Sequence, residues 1–422
     1  MVELDLTIES LAFGGAGVAR SGDGRVVFVE GVAPGDRVRA QVTADQGSYL
    51  QARTLDVLEP GPSRVAPPCP IVEQCGGCPW QQVDYAAQLA AKKRAVVDAL
   101  ERIGAIHEPP VREVLPSPEL FGYRNRLSLR FQDARIGFYQ ARTNRLVPVA
   151  DCLLAEEPIR AALPQIEAFV ASLATRVMRV EIATRGRLPG LVLAIQSGGR
   201  LRHGDTVAAQ RVVDEHANPI RGVVMQGRGW RRQWGDVRRV FTVAEGVDVE
   251  LPGASFGQVN TKGNLLLVEK TVQAALPAPG ASVLELYAGA GNFSLALARR
   301  SGRLTAVDED RTAVETGRAS ARAAGLANVR FVAARAGDYL EKAAVRPDVL
   351  VVDPPRSGLT DAAAPCARLG APRWVYVSCN PTTLARDLRI AAEHGYRLKE
   401  ACPIDMFPHT FHVETVCTLE LT

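Results

Sequence analysis

Val283-Leu284-Glu285-Leu286-Tyr287-Ala288-Gly289-Ala290-Gly291-Asn292-Phe293-Ser294 is the stretch that decides the fold. An apolar run of strand length passes straight into a turn with two glycines, which allow a tight reversal and close approach of a ligand to the backbone. Further apolar runs follow at 304–308, 329–332, 349–353, 374–378 and 413–421, with helical patterns between most of them. Strands alternating with helices over short connections predict a doubly wound, largely parallel α/β sheet, whose ligands bind at the carboxyl ends of the strands. Those ends are therefore where chemistry is expected.

Asp308 closes the second run and can hold ribose hydroxyls. Ser294 stands where a dinucleotide fingerprint has its third glycine, which favours a nucleoside cofactor without phosphates, S-adenosylmethionine, over a pyrophosphate. Gly-Ala-Gly alone also fits other nucleotides or a merely tight turn. Asp353-Pro354-Pro355-Arg356 puts a carboxylate at the sheet edge before a backbone stiffened by two prolines. Similar loops in methyltransferases acting on exocyclic amines carry an aromatic residue where Arg356 stands. Tyr376-Val377-Ser378-Cys379-Asn380-Pro381 places a thiol at a strand end before a helix start, where its thiolate is favoured, although cysteines so placed are more often packing residues. Glu414, inside an apolar strand, is costly unless solvated, paired or used.

Towards the N-terminus, short strands with glycine and proline corners over 1–58 predict a small β-barrel, and the Pro-rich stretch 60–68 reads as a linker. Cys69, Cys75 and Cys78 lie in a Gly/Pro-rich loop and Cys152 far downstream. Four thiolates suit a zinc ion or an iron–sulfur cluster, and the spacing does not choose between them. Residues 85–103 have helical periodicity, which predicts a surface helix with a basic side bearing Lys92, Lys93 and Arg94. Alternating patterns over 121–250 predict a mostly β central unit. In it Arg228, Arg231, Arg232, Arg238 and Arg239, interleaved with Trp230 and Trp234, suit either RNA contact or a solvated Arg-rich hairpin.

With 47% hydrophobic and 23% charged residues among 422, the chain is neither disordered nor fibrous, and no apolar run approaches the ~18 residues of a bilayer span. The N-terminus resembles no signal or transit peptide, so the expected compartment is the cytoplasm, with no membrane partner. The net charge of +4 conceals a gradient: residues 1–60 hold 5 basic against 9 acidic, 61–240 hold 26 against 17, and 241–422 hold 19 against 20. The basic middle segment is a candidate nucleic-acid surface.

Taken in order, these motifs, with Gly137-Phe138-Tyr139, Gln258-Val259-Asn260 and His412-Val413-Glu414, resemble the RNA 5-methyluridine methyltransferase family. The resemblance is to its branch with a TRAM domain and an iron–sulfur cluster, which methylates 23S rRNA. It covers nearly the whole chain. It implies that Cys379 is the nucleophile adding to uracil C6 and Glu414 the base removing the C5 proton. It also implies that Gln258, Tyr287, Gly289, Asp308 and Asp353 line the S-adenosylmethionine site, and that Cys69, Cys75, Cys78 and Cys152 hold a [4Fe–4S] cluster with a folding or RNA-positioning role. The expected architecture is a TRAM barrel over 1–58, an iron–sulfur loop, basic helix and β-rich RNA-binding unit over 59–250, and a class I (Rossmann-like) methyltransferase domain over 251–422. The expected partner is RNA, 23S rRNA first and transfer RNA as the alternative, with no obligate protein partner; a binding module that has lost catalysis is the rival from another class. Asp308, Ser320, Ala324, Ser357 and Gly257 depart from the family pattern of Glu, Asn, Asn, Lys and Phe. Cys366, Cys402 and Cys417 are expected to pack.

Overall fold

The computed structural model describes residues 2–141, 143–215, 217–253, 255–342 and 346–422. Six strands open the chain: β1 (Glu3–Thr7), β2 (Ser10–Leu11), β3 (Gly17–Arg20), β4 (Val26–Glu30), β5 (Arg37–Asp45) and β6 (Tyr49–Glu59). They hydrogen-bond in the order β1-β5-β6-β4-β3-β2, yet β1 also touches β3, so the sheet is curled on itself around Leu6, Ile8, Val27, Val29 and Val38.

After α1 (Tyr85–Arg102) comes a second sheet, built from β7 (Arg126–Gln132), β8 (Arg135–Tyr139), β9 (Leu146–Pro148), β10 (Val177–Thr184), β11 (Leu191–Ser197), β12 (Ile220–Gly227) and β13 (Trp230–Gly235). Two helices, α2 (Glu157–Ala171) and α3 (His203–Asp214), cover its apolar face with Ile159, Leu163, Ile166 and Val212. A hairpin of β14 (Arg239–Ala244) and β15 (Val247–Leu251) leads on to α4 (Thr261–Ala275).

The third sheet comprises β16 (Ser282–Leu286), β17 (Arg303–Asp308), β18 (Val329–Ala333), β19 (Val349–Val352), β20 (Arg373–Ser378), β21 (Tyr396–Ile404) and β22 (Glu414–Leu421). The helices α5 (Ser294–Ala298), α6 (Arg311–Ala323), α7 (Ala336–Lys342), α8 (Ala363–Arg368) and α9 (Pro381–Glu393) lie in the connections. Its order is β18-β17-β16-β19-β20-β22-β21, with five parallel strands and β22 antiparallel to both neighbours. The chain reverses its direction of winding between β16 and β19, which opens a crevice at their carboxyl ends.

One expectation changes and one is sharpened. The helix at 85–102 turns its apolar side, with Val96, Ala99 and Leu100, into the core of the third sheet and leaves Arg94 exposed, but Lys92, expected on the basic side, is wholly buried. Its ammonium lies 2.5 Å from the equally buried Asp405 and donates to the Phe407 carbonyl. The Arg-rich segment forms a hairpin, one of its two readings, with Arg228 in the turn and Arg231 and Arg232 on edge strand β13 paired to β12, before Arg239 opens β14. The register carries its turn at 227–230 to the end of the sheet remote from Arg126, and alternation points Arg231 and Arg232 to opposite faces. No helix is long and apolar enough to cross a membrane among the described residues.

Candidate active site

At the carboxyl ends of the third sheet lies a cavity of about 880 Å³. Gln258, Tyr287, Gly289, Asp308, Asp353, Cys379 and Glu414 all line it. Tyr287 turns the chain out of β16 at φ +60°, a strained value for a side-chain-bearing residue and common at functional sites. One carboxylate oxygen of Asp308 accepts the Gly289 N–H at 2.8 Å and the other accepts the Asp310 N–H at 2.8 Å, leaving further lone pairs for hydroxyl donors. Gly289 has nothing within 4 Å of where a Cβ would stand, so open space borders the backbone there. An acidic acceptor beside an open glycine turn fits the ribose of a nucleoside cofactor.

Asp353 follows β19, and its loop is tied to α9. The Arg356 carbonyl accepts from the Asn380 side-chain amide at 3.1 Å and from the Thr383 hydroxyl at 3.2 Å. The buried Asp387 carboxylate accepts the Leu359 N–H and the Tyr376 hydroxyl, both at 2.7 Å. Because α9 begins just after Cys379, these bonds fix the Asp353 loop relative to the thiol.

Cys379 and Glu414 belong to different elements. Antiparallel pairing sets Ser378 opposite Thr415 at the end of the ladder, which brings the next residues of the two segments, Cys379 and Glu414, close enough for the carboxylate to act on the thiol. Burial pushes the Glu414 carboxyl up to about 8, with Asp353 adding to the rise and Arg356 opposing it. Burial alone raises Asp353 to about 7. The Cys379 thiol is pushed up to about 11 by burial and by the Glu414 and Asp353 carboxylates, against the pull of Arg356. The site thus concentrates groups whose charged forms are costly until a cation enters.

Sequence reasoning missed several lining residues. Arg356, noted only as an aromatic that was absent, is a cation that favours both the thiolate and the carboxylate. Phe256, two residues before Gln258, is 75% exposed at the cavity edge, with the Arg126 guanidinium 5.8 Å from its ring centre. Arg124 also lines the cavity; the signal for Phe256 and Arg124 was only adjacency to quoted motifs. Of the residues departing from the family pattern, Gly257, Asp308 and Ser357 line the cavity and Ser320 and Ala324 do not. The Ser320 hydroxyl instead accepts the Glu250 N–H. Cys366 and Cys417 are buried in the core of this sheet, and Cys402 packs at the edge of its other face.

A second, smaller cavity of about 70 Å³ is lined by Cys69, Cys75, Cys78 and Cys152 together, with Ile71, Leu127, Phe138, Val149 and Leu154 among its walls. Burial raises Cys78 to about 12 and also raises Cys75 and Cys152, the neighbouring thiols adding to each shift. Among the described residues no three His, Cys, Asp or Glu side chains are gathered closely enough to hold one metal ion. Four thiols lining one mostly apolar cavity are the donor set that either a zinc ion or an iron–sulfur cluster takes.

A glycine turn, an acid at the end of the next strand and a doubly wound sheet with an antiparallel penultimate strand define a protein of the S-adenosylmethionine-dependent methyltransferase class. Residues 238–422 match the model of the tRNA (Uracil-5-)-methyltransferase family, and residues 2–55 match the TRAM domain. An uncharacterized RNA methyltransferase of Halalkalibacterium halodurans is 34% identical, over 99% of this chain and 97% of its own length. The 23S rRNA (uracil(1939)-C(5))-methyltransferases RlmD of Hahella chejuensis and Azoarcus sp. are 32% and 34% identical, each over 98% of this chain and 96% and 98% of their own. The crystal structure of Pyrococcus abyssi tRNA (uracil-54, C5)-methyltransferase in complex with S-adenosyl-L-homocysteine shares the fold, with a TM-score of 0.78, 24% identity and coverage of 98% of this chain and 99% of that one. The chain belongs to the RNA uracil-C5 methyltransferase family and is an S-adenosylmethionine-dependent enzyme of that kind.

Proposed function

We propose that Cys379 and Glu414 carry out methylation of uridine C5 through a covalent adduct, and that the RNA is 23S rRNA. The observation that carries this is the end of the β20–β22 ladder, which brings the Cys379 thiol and the buried Glu414 carboxyl together in the cavity that Asp308 and Gly289 also line. Uracil C5 is a poor nucleophile while the C5–C6 double bond is intact. The Cys379 thiolate forms a bond to C6, and the displaced electron pair moves onto C5 and the C4 carbonyl. S-adenosylmethionine, which Tyr287, Gly289, Asp308, Asp353 and Gln258 would hold, would supply the methyl carbon that C5 takes, its S–CH3 bond breaking to leave neutral S-adenosylhomocysteine, and its sulfonium charge would favour the neighbouring anions until then. Glu414 as carboxylate then removes the C5 proton, the C5–C6 double bond re-forms, and the C6–S bond breaks to return the thiolate. Arg356 stabilises the anionic form of both side chains. The target base must leave its stack to reach Cys379, and Phe256 at the edge is placed to stack on RNA.

Cys69, Cys75, Cys78 and Cys152 would hold a [4Fe–4S] cluster, whose part is structural because methyl transfer needs no electron. The domains are assigned as 1–58, 59–250 and 251–422. The 23S assignment rests on the RlmD relatives. The test is transfer of labelled methyl groups from S-adenosylmethionine to unmodified total RNA by anaerobically purified protein, with size separation and nucleoside analysis. Label as 5-methyluridine in large ribosomal RNA is expected; the same nucleoside in transfer RNA overturns the substrate and keeps the chemistry, and no label overturns both.

A further inference from the structure

Between the four-cysteine cavity and the large cavity runs one short segment, 122–125, bonded to both sides. On the cysteine side, the Gly122 N–H donates to the Leu153 carbonyl at 2.9 Å and the Arg124 N–H to the Leu154 carbonyl at 2.8 Å, directly after Cys152. The Glu156 N–H returns to the Arg124 carbonyl at 2.9 Å. On the other side, the Asn125 N–H donates to the Val259 carbonyl at 2.8 Å. The Asn125 side-chain amide donates to the Gln258 carbonyl and the Thr261 hydroxyl, both at 2.9 Å. Arg124 forms a parallel bridge with Ala155 and an antiparallel one with Asn260, so three strands of backbone meet at a single residue. Its side chain lines both cavities, and its Nε is buried without a hydrogen-bond partner. Asn125 itself is 1% exposed.

A buried strap of this kind passes displacement at one edge to the other, because its polar groups cannot be released without loss of their hydrogen bonds. We propose that the four-cysteine site serves the cofactor wall: an occupied site fixes residues 153–156, which through the 122–125 strap hold Gln258 and Thr261 in the geometry that binds S-adenosylmethionine. Asn125 is then a positioning residue for the cofactor. This rests on the cluster reading and on Gln258 as cofactor wall, and it differs from a cluster that positions RNA.

The experiment measures binding of S-adenosylhomocysteine by calorimetry and of an RNA fragment containing the target uridine, alongside iron content. The forms compared are anaerobic wild type, chelator-stripped wild type, the stripped protein reconstituted with iron and sulfide, Cys152→Ser and Asn125→Ala. Stripping and Cys152→Ser are expected to weaken S-adenosylhomocysteine about tenfold with RNA affinity unchanged, and reconstitution to restore it. Asn125→Ala is expected to show the same loss with full iron content; should that variant not fold, Thr261→Val, which removes one cavity-side bond, takes its place. Iron-loaded protein whose S-adenosylhomocysteine affinity is indifferent to stripping overturns the coupling alone, as does a loss confined to RNA. Wild type that carries no iron and still binds S-adenosylhomocysteine tightly overturns the cluster reading and the coupling with it.

Discussion

The molecule has two cavities lined by cysteine, and they are opposites. In the larger, the Cys379 thiol shares about 880 Å³ of space with the Glu414 and Asp353 carboxyls and Arg356, room that a base and a nucleoside could fill. In the smaller, four thiols face one another across about 70 Å³ with mostly apolar walls. A thiol beside a carboxyl, with room for a substrate, suits the covalent catalysis proposed for Cys379; thiols that share a mostly apolar space are costly to ionise together without a bound cation, which suits the proposed cluster. What surrounds the sulfur, and not its position in the chain, separates the two roles.

Exchanging a sulfur in each cavity breaks the comparison most sharply. Cys379→Ala is expected to abolish methyl transfer while S-adenosylhomocysteine binding and melting temperature stay near wild type; Cys78→Ser is expected to lose iron and melt earlier. Retained turnover in Cys379→Ala would remove the nucleophile from the large cavity. Glu414→Gln should still form the C6 bond but fail to release it, so a protein–RNA adduct resistant to denaturing electrophoresis should accumulate. Its absence, with turnover intact, would remove the base.

Next in size is the cofactor side. Asp308→Ala gives up hydrogen bonds to a charged acceptor, so KM for S-adenosylmethionine should rise roughly 10- to 100-fold with little change in KM for RNA. An equal rise in both would mean that Asp308 only holds the turn.

The smallest effect is on stability. The Glu414 carboxyl is raised from 4.5 to about 8 in the folded protein, so between those values the folded chain keeps a proton that the unfolded chain has released. Stability therefore falls as pH rises across that window and levels off above it. Glu414→Gln removes this contribution, and its melting temperature should exceed wild type at pH 8 but not at pH 4.5. Activity has the opposite slope: wild-type turnover should rise through about pH 8 as Glu414 becomes a carboxylate. A flat profile would show that bound ligands have already ionised it.

Legibility differed between regions for physical reasons. The β17 end at Asp308 and the turn at Gly289 were readable because strand periodicity and glycine act locally. Lys92 was misread because its neighbours Lys93 and Arg94 are ordinary surface cations, and only the fold brings Asp405, 313 residues away, against it. Arg231 and Arg232 looked like one patch because adjacency in sequence hides the alternation of a strand.

By itself the sequence determined the order of strands and turns, the chemical types available and the motifs that mark the family, since these follow from side-chain periodicity and backbone preference. Only the tertiary structure decided that β22 inserts antiparallel beside β20, which brings Cys379 and Glu414, paired in the sequence by resemblance alone, into one cavity. It alone decided that Cys152, 74 residues beyond Cys78, closes a pocket with it, and that the strap at 122–125 joins the two cavities. Those are pairings between distant segments, fixed by burial and hydrogen bonding across the fold, and no local pattern encodes them.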